Sequence, residues 1–303
     1  MTIGLGLGIS RFPFDEVRDY WSWVEQCESG SVDSIWQTDR LVSKEPMLEC
    51  LSTMAALAGA TERIRFGMNV ASIALRDPLV VAKQCATIDL LSNGRLLPAF
   101  GLGSALSQDY VATGTPTRRR GKKANEALDL VRRLWTEDDV SFDGEFFQYE
   151  NASISPKPKN QKIPLWIGGS SEVAMRRTAE YGTGWIGGLD SPEQAETMVK
   201  GIKRALVKTG RKIDEDHYGA SFSFRFGDPG ERAAKQTADA LQARLKKDPA
   251  RFMVVGNADA IHTRIREFLA AGCSKFVMLP MAASSAEMQE QTRLFVEEIL
   301  PEY

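Results

Sequence analysis

The chain has 303 residues, a formal net charge of −2, 43% hydrophobic residues and 26% charged residues. This composition is ordinary for a globular protein, and the small net charge excludes a general attraction to nucleic acid or to an anionic membrane. No run of 18 apolar residues could span a membrane, and the N-terminus lacks the basic and apolar regions of a signal peptide. We therefore expect one cytoplasmic domain over residues 1–303, with a length that suits an α/β barrel.

Short apolar runs alternate with segments of helical spacing along the whole chain. The runs predict strands near residues 5, 35, 68, 98, 166, 185, 222 and 277. The helical segments cover residues 14–27, 46–58, 78–91, 119–135, 192–208, 231–247, 258–271 and 285–300. Eight buried strands, most of them followed by a helix, favour a closed (β/α)8 TIM barrel of the α/β class over an open doubly wound sheet.

The alternation is interrupted between the fourth and fifth predicted strands. Asp143 and Gly144 stand between aromatic residues and predict a β-hairpin, and a proline-bearing polar stretch over residues 155–162 follows it. The barrel is therefore expected to carry insertions after strand 4 and before strand 5. Residues 104–118, together with the hairpin, are expected to form a lid that sets specificity.

The turn after the fifth strand has the composition of a phosphate-binding loop. Gly168 and Gly169 let the backbone approach a ligand, while Ser170 and Ser171 are good residues to cap the helix that follows. The N-terminus of that helix adds free N–H groups and a partial positive charge, which together bind anions. An ordinary strand-to-helix connection, which also favours glycine and serine, is the alternative.

Charged and small residues end other strands, and the active site of a TIM barrel lies at these carboxyl ends. Asp39 and Arg40 follow the second strand, where an Asp can contact a heterocyclic ring and an Arg can pair with a substrate anion. A surface charge pair is the alternative. Arg76 and Arg225 are weaker candidates for contact with substrate or phosphate. Gly4, Gly6 and Gly8 complete no G-x-G-x-x-G motif and are interpreted as small residues inside a barrel strand.

Cysteine and histidine do not form any recognisable site. The two histidines are too few for a histidine-based metal site, and no C-x-x-C motif exists. The thiols fit a reduced protein with buried cysteines at Cys27, Cys50, Cys85 and Cys273. Because no nucleophile, metal site or acid/base pair is evident, we expect a bound cofactor to carry the chemistry.

Several segments together resemble the bacterial luciferase-like flavin-dependent oxidoreductases. They are residues 77–103, 134–137, 142–148 and 166–171, and their order and spacing match across nearly the whole chain. The resemblance implies a TIM barrel, usually dimeric, that binds reduced FMN or the deazaflavin F420 at its carboxyl end. It also implies a small-molecule substrate and, for an FMN enzyme, a separate flavin reductase.

The resemblance assigns roles to individual positions. Gly168, Gly169, Ser170 and Ser171 would hold the cofactor phosphate, Ser72 would lie beside the ring, Gly101 and Gly103 would line the ring pocket, and Asp39 would contact a deazaflavin ring. Arg40 stands where F420-dependent members often carry histidine, and Ser104 and Ser107 replace an acidic residue and an asparagine of the sugar-phosphate dehydrogenases.

Three functions therefore stay open from the sequence. The first is a monooxygenase that uses reduced FMN and O2 on a small organic substrate, with Asp39 and Arg40 as its catalytic candidates. The second is an F420-dependent hydride-transfer oxidoreductase. The third is a barrel that binds flavin without turnover or acts as a partner subunit.

Overall fold

The computed structural model describes residues 2–303, apart from the side chain of Asn160. Its strands are β1 (Gly4–Ile9), β2 (Ser34–Gln37), β3 (Arg65–Met68), β4 (Ala71–Ser72), β5 (Leu96–Leu97), β6 (Ala99–Gly101), β7 (Val140–Asp143), β8 (Gln148–Ala152), β9 (Trp166–Gly168), β10 (Gly184–Leu189), β11 (Tyr218–Phe226), β12 (Met253–Gly256) and β13 (Lys275–Pro280). The eight predicted strands are all present among them.

The helices are α1 (Val17–Ser29), α2 (Cys50–Ala60), α3 (Pro78–Leu91), α4 (Gln108–Ala112), α5 (Arg120–Thr136), α6 (Glu172–Tyr181), α7 (Pro192–Thr209), α8 (Arg232–Leu245), α9 (Ala258–Ala270) and α10 (Ser285–Leu294). A π-helical turn (Phe295–Ile299) continues α10, and short 3-10 turns lie at Ile73–Leu75, Lys159–Gln161, Pro249–Arg251 and Leu300–Glu302. Among the described helices, none is both long and apolar enough to cross a membrane.

Local sequence signals set most helix starts. Proline occupies the first turn of α3 and of α7, and the carboxylate of Asp77 caps α3 by accepting from the amides of its first residues. The prediction that a helix begins at Pro46 was wrong. Helix α2 begins at Cys50 because Glu49 caps it, with its side chain accepting from the amide of Ser52.

The parallel strands close into a ring. β1 pairs with β13 and β2, and the pairing continues from β2 to β3 on one side and from β13 through β11, β10 and β9 to β6 on the other. β3 and β4 together form one of the strand positions of the barrel, each of which we call a stave, and β5 and β6 together form the next. Between these two staves, β3 pairs with β5 and β4 pairs with β6. Eight staves therefore form a closed barrel, which confirms the predicted (β/α)8 fold.

Insertions interrupt the barrel in three places. Helix α4 follows the fourth stave and the antiparallel hairpin β7–β8 precedes the fifth, as expected. The sequence analysis missed a third insertion after β11, which contains α8 and the four-residue strand β12. This extra strand pairs in parallel with the end of β11, from Ser223 with Met253 to Phe226 with Gly256.

Two tryptophans fill the inside of the barrel and explain its small residues. Trp36 and Trp166 are buried in one cluster with Leu97, Ile186 and Val277. A Cβ atom on Gly6 would lie 2.9 Å from Nε1 of Trp36 and 2.4 Å from the hydroxyl of Ser34. Glycine at this position of β1 is therefore required by packing, which confirms the interpretation of the glycines as small barrel residues.

Candidate functional site

The turn from β9 into α6 (residues 168–171), which we call the anion turn, lies at the carboxyl end of the barrel; Gly168 is buried at the end of β9, and residues 169–171 are exposed. Gly169 has φ +117°, a conformation that disfavours any side chain, and its carbonyl accepts from Nε1 of Trp185 at 2.9 Å. Ser171 caps α6 by accepting from the amide of Ala174 at 3.2 Å. The first amides of α6 thus lie beside a braced, solvent-accessible turn, which is an arrangement suited to bind an anion.

A buried carboxyl group touches this turn from the neighbouring stave. Oδ2 of Asp190, the residue directly after β10, lies 2.5 Å from the hydroxyl of Ser170, and Asp190 is only 4% exposed. Burial raises the pKa of Asp190, and the hydrogen bonds from Ser170 and the Gly188 amide oppose that rise only in part. Asp190 is not among the residues that the sequence predicted for the site, although it follows the carboxyl end of a predicted strand.

Three further predicted cofactor-binding residues, Ser72, Gly101 and Gly103, lie next to the anion turn. The side chain of Val70 fills the space between Gly101 and Gly168, since a Cβ atom on Gly101 or Gly168 would lie within 2.8 Å of its methyl groups. Gly103 has φ +61°, and a Cβ atom there would lie 2.6 Å from Oγ of Ser72. These close contacts produce a flat wall of backbone and small side chains at the carboxyl ends of neighbouring staves.

The peptide bond between Asn69 and Val70 is cis, at the point where the third stave is divided into β3 and β4. On the inner side of the barrel, Nδ2 of Asn69 donates to the hydroxyl of Ser221 at 3.2 Å. The side chain of Val70 lies against Gly101 and Gly168.

Asp39 is held in a dense network and does not face open space. Its two oxygens accept from Nη1 and Nη2 of Arg76 at 2.8 and 2.7 Å, and Oδ2 also accepts from the amide of Ser72 at 2.9 Å. The side chain of Asp39 is 1% exposed. Asp39 therefore ties β2 to the wall residue Ser72 through the backbone, while its charge is neutralised by Arg76.

The same network contains three potential metal ligands, in Asp39, Glu49 and Cys50. The cation among them is the guanidinium of Arg76, which pairs with Asp39 and lies 3.3 Å from Glu49. Burial lowers the pKa of Arg76, but the bonds to Asp39 raise it above its ordinary value. Burial and the charge of Asp39 raise the pKa of the Cys50 thiol, so this group stays protonated and donates to Asp39.

Arg40 is exposed, and within residues 2–303 it makes neither a salt bridge nor a hydrogen bond. Its neighbour is Arg244 in the last turn of α8, which is equally without a partner among these residues. Desolvation and then the positive charge of Arg40 lower the pKa of Arg244. Two unneutralised cations therefore lie near each other beside the barrel mouth.

Helix α8 lies over the barrel mouth. At its start, Glu231 pairs with Arg225 at the end of β11, and at its end Arg244 faces Arg40 after β2. Between these points Ala233 and Leu241 pack in one cluster with Met281, which follows β13. The hairpin that the sequence placed in the lid contacts the starts of α3 and α5, where Tyr149 bonds Asp77 and Glu145 pairs with Arg119.

The other sequence candidates are engaged in structural contacts. Arg225 is 6% exposed and bonds Glu231 and the carbonyl of Met281, and its Nη1 lies 3.4 Å from Glu287. His217 bonds the carbonyl of Thr183 at the amino end of the barrel, and His262 bonds Tyr303 and the carbonyl of Glu298. Neither histidine lies at the carboxyl end.

A cleft of about 430 Å³ lies away from this region on the outside of the barrel. It is lined by Leu79, Val80, Lys83 and Gln84 of α3 and by residues 153–155. No side chain that the site requires lines it, so we place the site at the carboxyl ends on the grounds of fold and geometry rather than cavity size.

A (β/α)8 barrel with an anion turn after its fifth stave and a flat wall beside it defines a class of cofactor-binding barrels. The family model described as luciferase-like monooxygenase matches residues 5–275. The chain belongs to this family, as the sequence resemblance predicted.

The chain is also similar to individual relatives in sequence and to solved structures in fold. The chain is 26% identical over 319 residues to the F420-dependent glucose-6-phosphate dehydrogenase of Amycolatopsis mediterranei (strain U-32), covering 94% of each chain. The F420-dependent secondary alcohol dehydrogenase in complex with an F420-acetone adduct superimposes with a TM-score of 0.83 at 19% identity, covering 99% of this chain and 98% of the other. Monooxygenase RslO1 from Streptomyces bottropensis also gives 0.83, at 20% identity over the whole of both chains.

The chain spans 57% of the length of the first curated relatives it matches. These are uncharacterised mycobacterial proteins, including one from Mycobacterium tuberculosis (strain ATCC 25618 / H37Rv), which is 34% identical over 168 residues or 55% of this chain.

Proposed function

We propose that the protein is a luciferase-like oxidoreductase that binds reduced FMN at the carboxyl end of its barrel and uses O2 to oxygenate a small organic substrate. The bound reduced flavin would react with O2, and this is the chemistry that the cofactor would supply. The chain itself would bind and orient the reactants and exclude water from them.

The residues at the carboxyl end fit such a cofactor. Gly168, Gly169, Ser170 and Ser171 would hold the phosphate, because the turn is exposed and adjoins the first amides of α6. Gly101 and Gly103 would lie along the ring beside Ser72, since a Cβ atom on either glycine would collide with Val70 or Ser72, so that neither position can carry a larger side chain. Asp39 would act through Ser72, whose amide it fixes, rather than by direct contact of its carboxylate with the ring.

One observation favours oxygenation over hydride transfer. An alcohol dehydrogenation moves a proton as well as a hydride and therefore needs a free acid or base near the substrate. Among the described residues at the barrel mouth, Asp39 is paired with Arg76, Arg225 is paired with Glu231, and Asp190 is bound to Ser170. No uncommitted histidine lies there to take over this role.

The second candidate is F420-dependent hydride transfer. The observation that favours it is the alignment with the F420-dependent glucose-6-phosphate dehydrogenase over 94% of each chain. A non-catalytic flavin-binding barrel is the third candidate, and the committed acid and base groups are compatible with it.

Turnover separates the three candidates. Purified protein is supplied with FMN, a separate flavin reductase and NADH, and O2 uptake and product formation are followed across a panel of small organic substrates. Substrate-dependent O2 incorporation supports the monooxygenase. Substrate-dependent reduction of F420 without O2 uptake supports hydride transfer, and cofactor binding without any turnover supports the non-catalytic barrel.

Arg40 and Arg244 would bind an anionic group of the substrate. Both are exposed, lie close enough for their charges to interact, and have no carboxylate partner in the described part of the chain. A carboxylate or phosphate placed between them would relieve their repulsion and form charge-assisted hydrogen bonds.

We also infer that the 303-residue domain forms a homodimer in the cytoplasm, through α2 and α3. Both helices are mostly apolar, and the outer face exposes Ala55, Ala56 and Gly59 of α2 and Val80 and Leu91 of α3, beside the polar Lys83 and Gln84. An apolar face of this kind is usually covered by a partner. Val80→Arg should give a monomer in analytical ultracentrifugation, whereas Val207→Arg, at a lone exposed valine of α7, should leave the dimer intact.

A further inference from the structure

A buried carboxyl group next to an anion-binding turn is an electrostatic conflict. Asp190 is 4% exposed, and its oxygen lies 2.5 Å from the hydroxyl of Ser170, in the middle of the anion turn. A phosphate bound at this turn would lie near a second negative charge that is itself buried, and burial of one partner reduces the screening of their repulsion by water. The proposed mechanism gives Asp190 no other role.

The surroundings of Asp190 do not neutralise it. No salt bridge reaches Asp190 within the described residues, and the one cation whose charge acts on it is Lys247, just beyond α8. The other titratable group that interacts with Asp190 is the thiol of Cys273. Burial and the charge of Asp190 raise the pKa of this thiol to about 12, so the thiol stays neutral. The carboxyl group also has little room, since a Cβ atom on Gly187 would lie 2.8 Å from its Oδ2.

The protonation state of Asp190 decides what Ser170 can offer. When Asp190 is ionised it can only accept, so the hydroxyl of Ser170 donates to it and presents lone pairs to the turn. When Asp190 is protonated it can donate to Oγ of Ser170, and the Ser170 hydroxyl is then free to donate to an oxygen of a phosphate. Only the protonated form removes the charge conflict and also supplies a donor.

We propose that Asp190 is a positioning residue of the anion turn, which takes up a proton when a phosphate-bearing cofactor binds and thereby turns the hydroxyl of Ser170 towards the phosphate. The inference rests on the proposed function, because it requires the anion turn to be the phosphate site. The affinity for the phosphate group should fall as pH rises, because the ionised carboxylate must be protonated at increasing cost.

Matched ligands test the proposal. Binding of reduced FMN and of reduced riboflavin, which lacks the phosphate, is measured anaerobically at pH 6.5 and 8.5, as is binding of F420 and its phosphate-free riboside. The wild-type preference for the phosphate-bearing ligand of a pair should fall by about tenfold over this range, which corresponds to about one pKa unit of coupling. Titrations in buffers of different ionisation enthalpy should detect proton uptake with the phosphate ligand only.

The variant Asp190→Asn keeps the shape and can donate to Ser170 without carrying charge. At pH 8.5 it should bind the phosphate ligand about tenfold more tightly than the wild type, bind the phosphate-free ligand unchanged, and take up no proton. A melting temperature close to that of the wild type controls for folding.

Two results overturn the proposal in different ways. If Asp190→Asn changes both ligands of a pair equally, or neither, Asp190 does not act on the phosphate, while the proposed function stands. If none of the four ligands binds the wild-type protein, the proposed function fails and this inference fails with it.

Discussion

The two ends of the barrel differ in how completely their charged side chains are paired. At the amino end, Lys275 is 5% exposed and pairs with Asp33, and Arg65 bonds the other oxygen of Asp33 at 2.7 Å. At the carboxyl end, Asp39 and Arg76 are similarly matched, but Asp190 has no cation in contact with it, and Arg40 and Arg244 have no anion. The charges at the amino end neutralise one another, whereas the carboxyl end has unpaired charges that a charged ligand would neutralise. This difference fits the division of TIM barrels into a stabilising end and a functional end.

The largest expected effect is on ligand binding at the carboxyl end. Gly169→Asp adds a negative charge to the anion turn at a backbone angle that only glycine adopts easily, so binding of reduced FMN or F420 should fall below detection. Isothermal titration measures the affinity, and circular dichroism should report an intact fold. Gly169→Ala is the matched control for backbone strain and should lose less affinity. Unchanged affinity in Gly169→Asp would remove the anion turn from the site.

The next effect is on stability at the amino end. Lys275→Met leaves Asp33 with Arg65 alone in a mostly buried place, and breaking a buried pair of this kind costs about 3 kcal/mol. Denaturant unfolding measures the loss, while cofactor affinity should stay unchanged. Lys203→Met, which removes an exposed pair with Glu215, is the control and should cost less than about 1 kcal/mol. Equal losses would contradict the contrast between buried and exposed pairs.

The paired charges at the amino end should also make the free energy of unfolding depend on pH. Burial would raise the pKa of Asp33, but the charges of Lys275 and Arg65 outweigh it and hold the pKa below its ordinary value. The resulting stabilisation is present above the ordinary pKa and is lost as pH falls through the lowered pKa of the folded state. Unfolding free energies between pH 6 and pH 3 should therefore fall more steeply for the wild type than for Asp33→Asn. Parallel curves would show that Asp33 contributes nothing to the acid dependence.

The smallest expected effect is on substrate binding by the unmatched cations. Arg40→Gln or Arg244→Gln should raise KM for a carboxylate- or phosphate-bearing substrate about tenfold and leave kcat unchanged, because a binding contact common to ground and transition state is lost. Steady-state kinetics measure both constants. Arg204→Gln, at an exposed arginine of α7 on the outside of the barrel, should leave KM unaltered. A KM that responds equally to all three changes would reflect general charge rather than a site.

The fold could be predicted from the sequence because its signals are local. Strand and helix periods, prolines in first turns and the Asp-Gly hairpin each depend on neighbouring residues, and the structure contains the corresponding elements. Strand β12 escaped prediction although it contains the β-branched residues Val254 and Val255, because periodicity cannot assign so short an apolar run between two helices. The start of α2 was misplaced because the cap by Glu49 was not recognised and Pro46 suggested an earlier start.

The site was only partly predictable because its key contacts join distant residues. The glycines and serines of the anion turn are adjacent in sequence, so the turn could be predicted from its local composition. The pairing of Asp39 with Arg76 crosses 37 positions, and the bond between Ser170 and Asp190 crosses 20. No periodicity reports such contacts, which is why Asp39 looked free to contact a ring and Asp190 went unnoticed.

The most direct test of the central claim is an anaerobic titration of the purified protein with reduced FMN, oxidised FMN, F420 and reduced F420. The account predicts saturable binding of reduced FMN that is tighter than binding of either F420 form. Tighter binding of F420 would contradict the monooxygenase proposal and favour hydride transfer, and binding of none of the four would contradict the cofactor site itself.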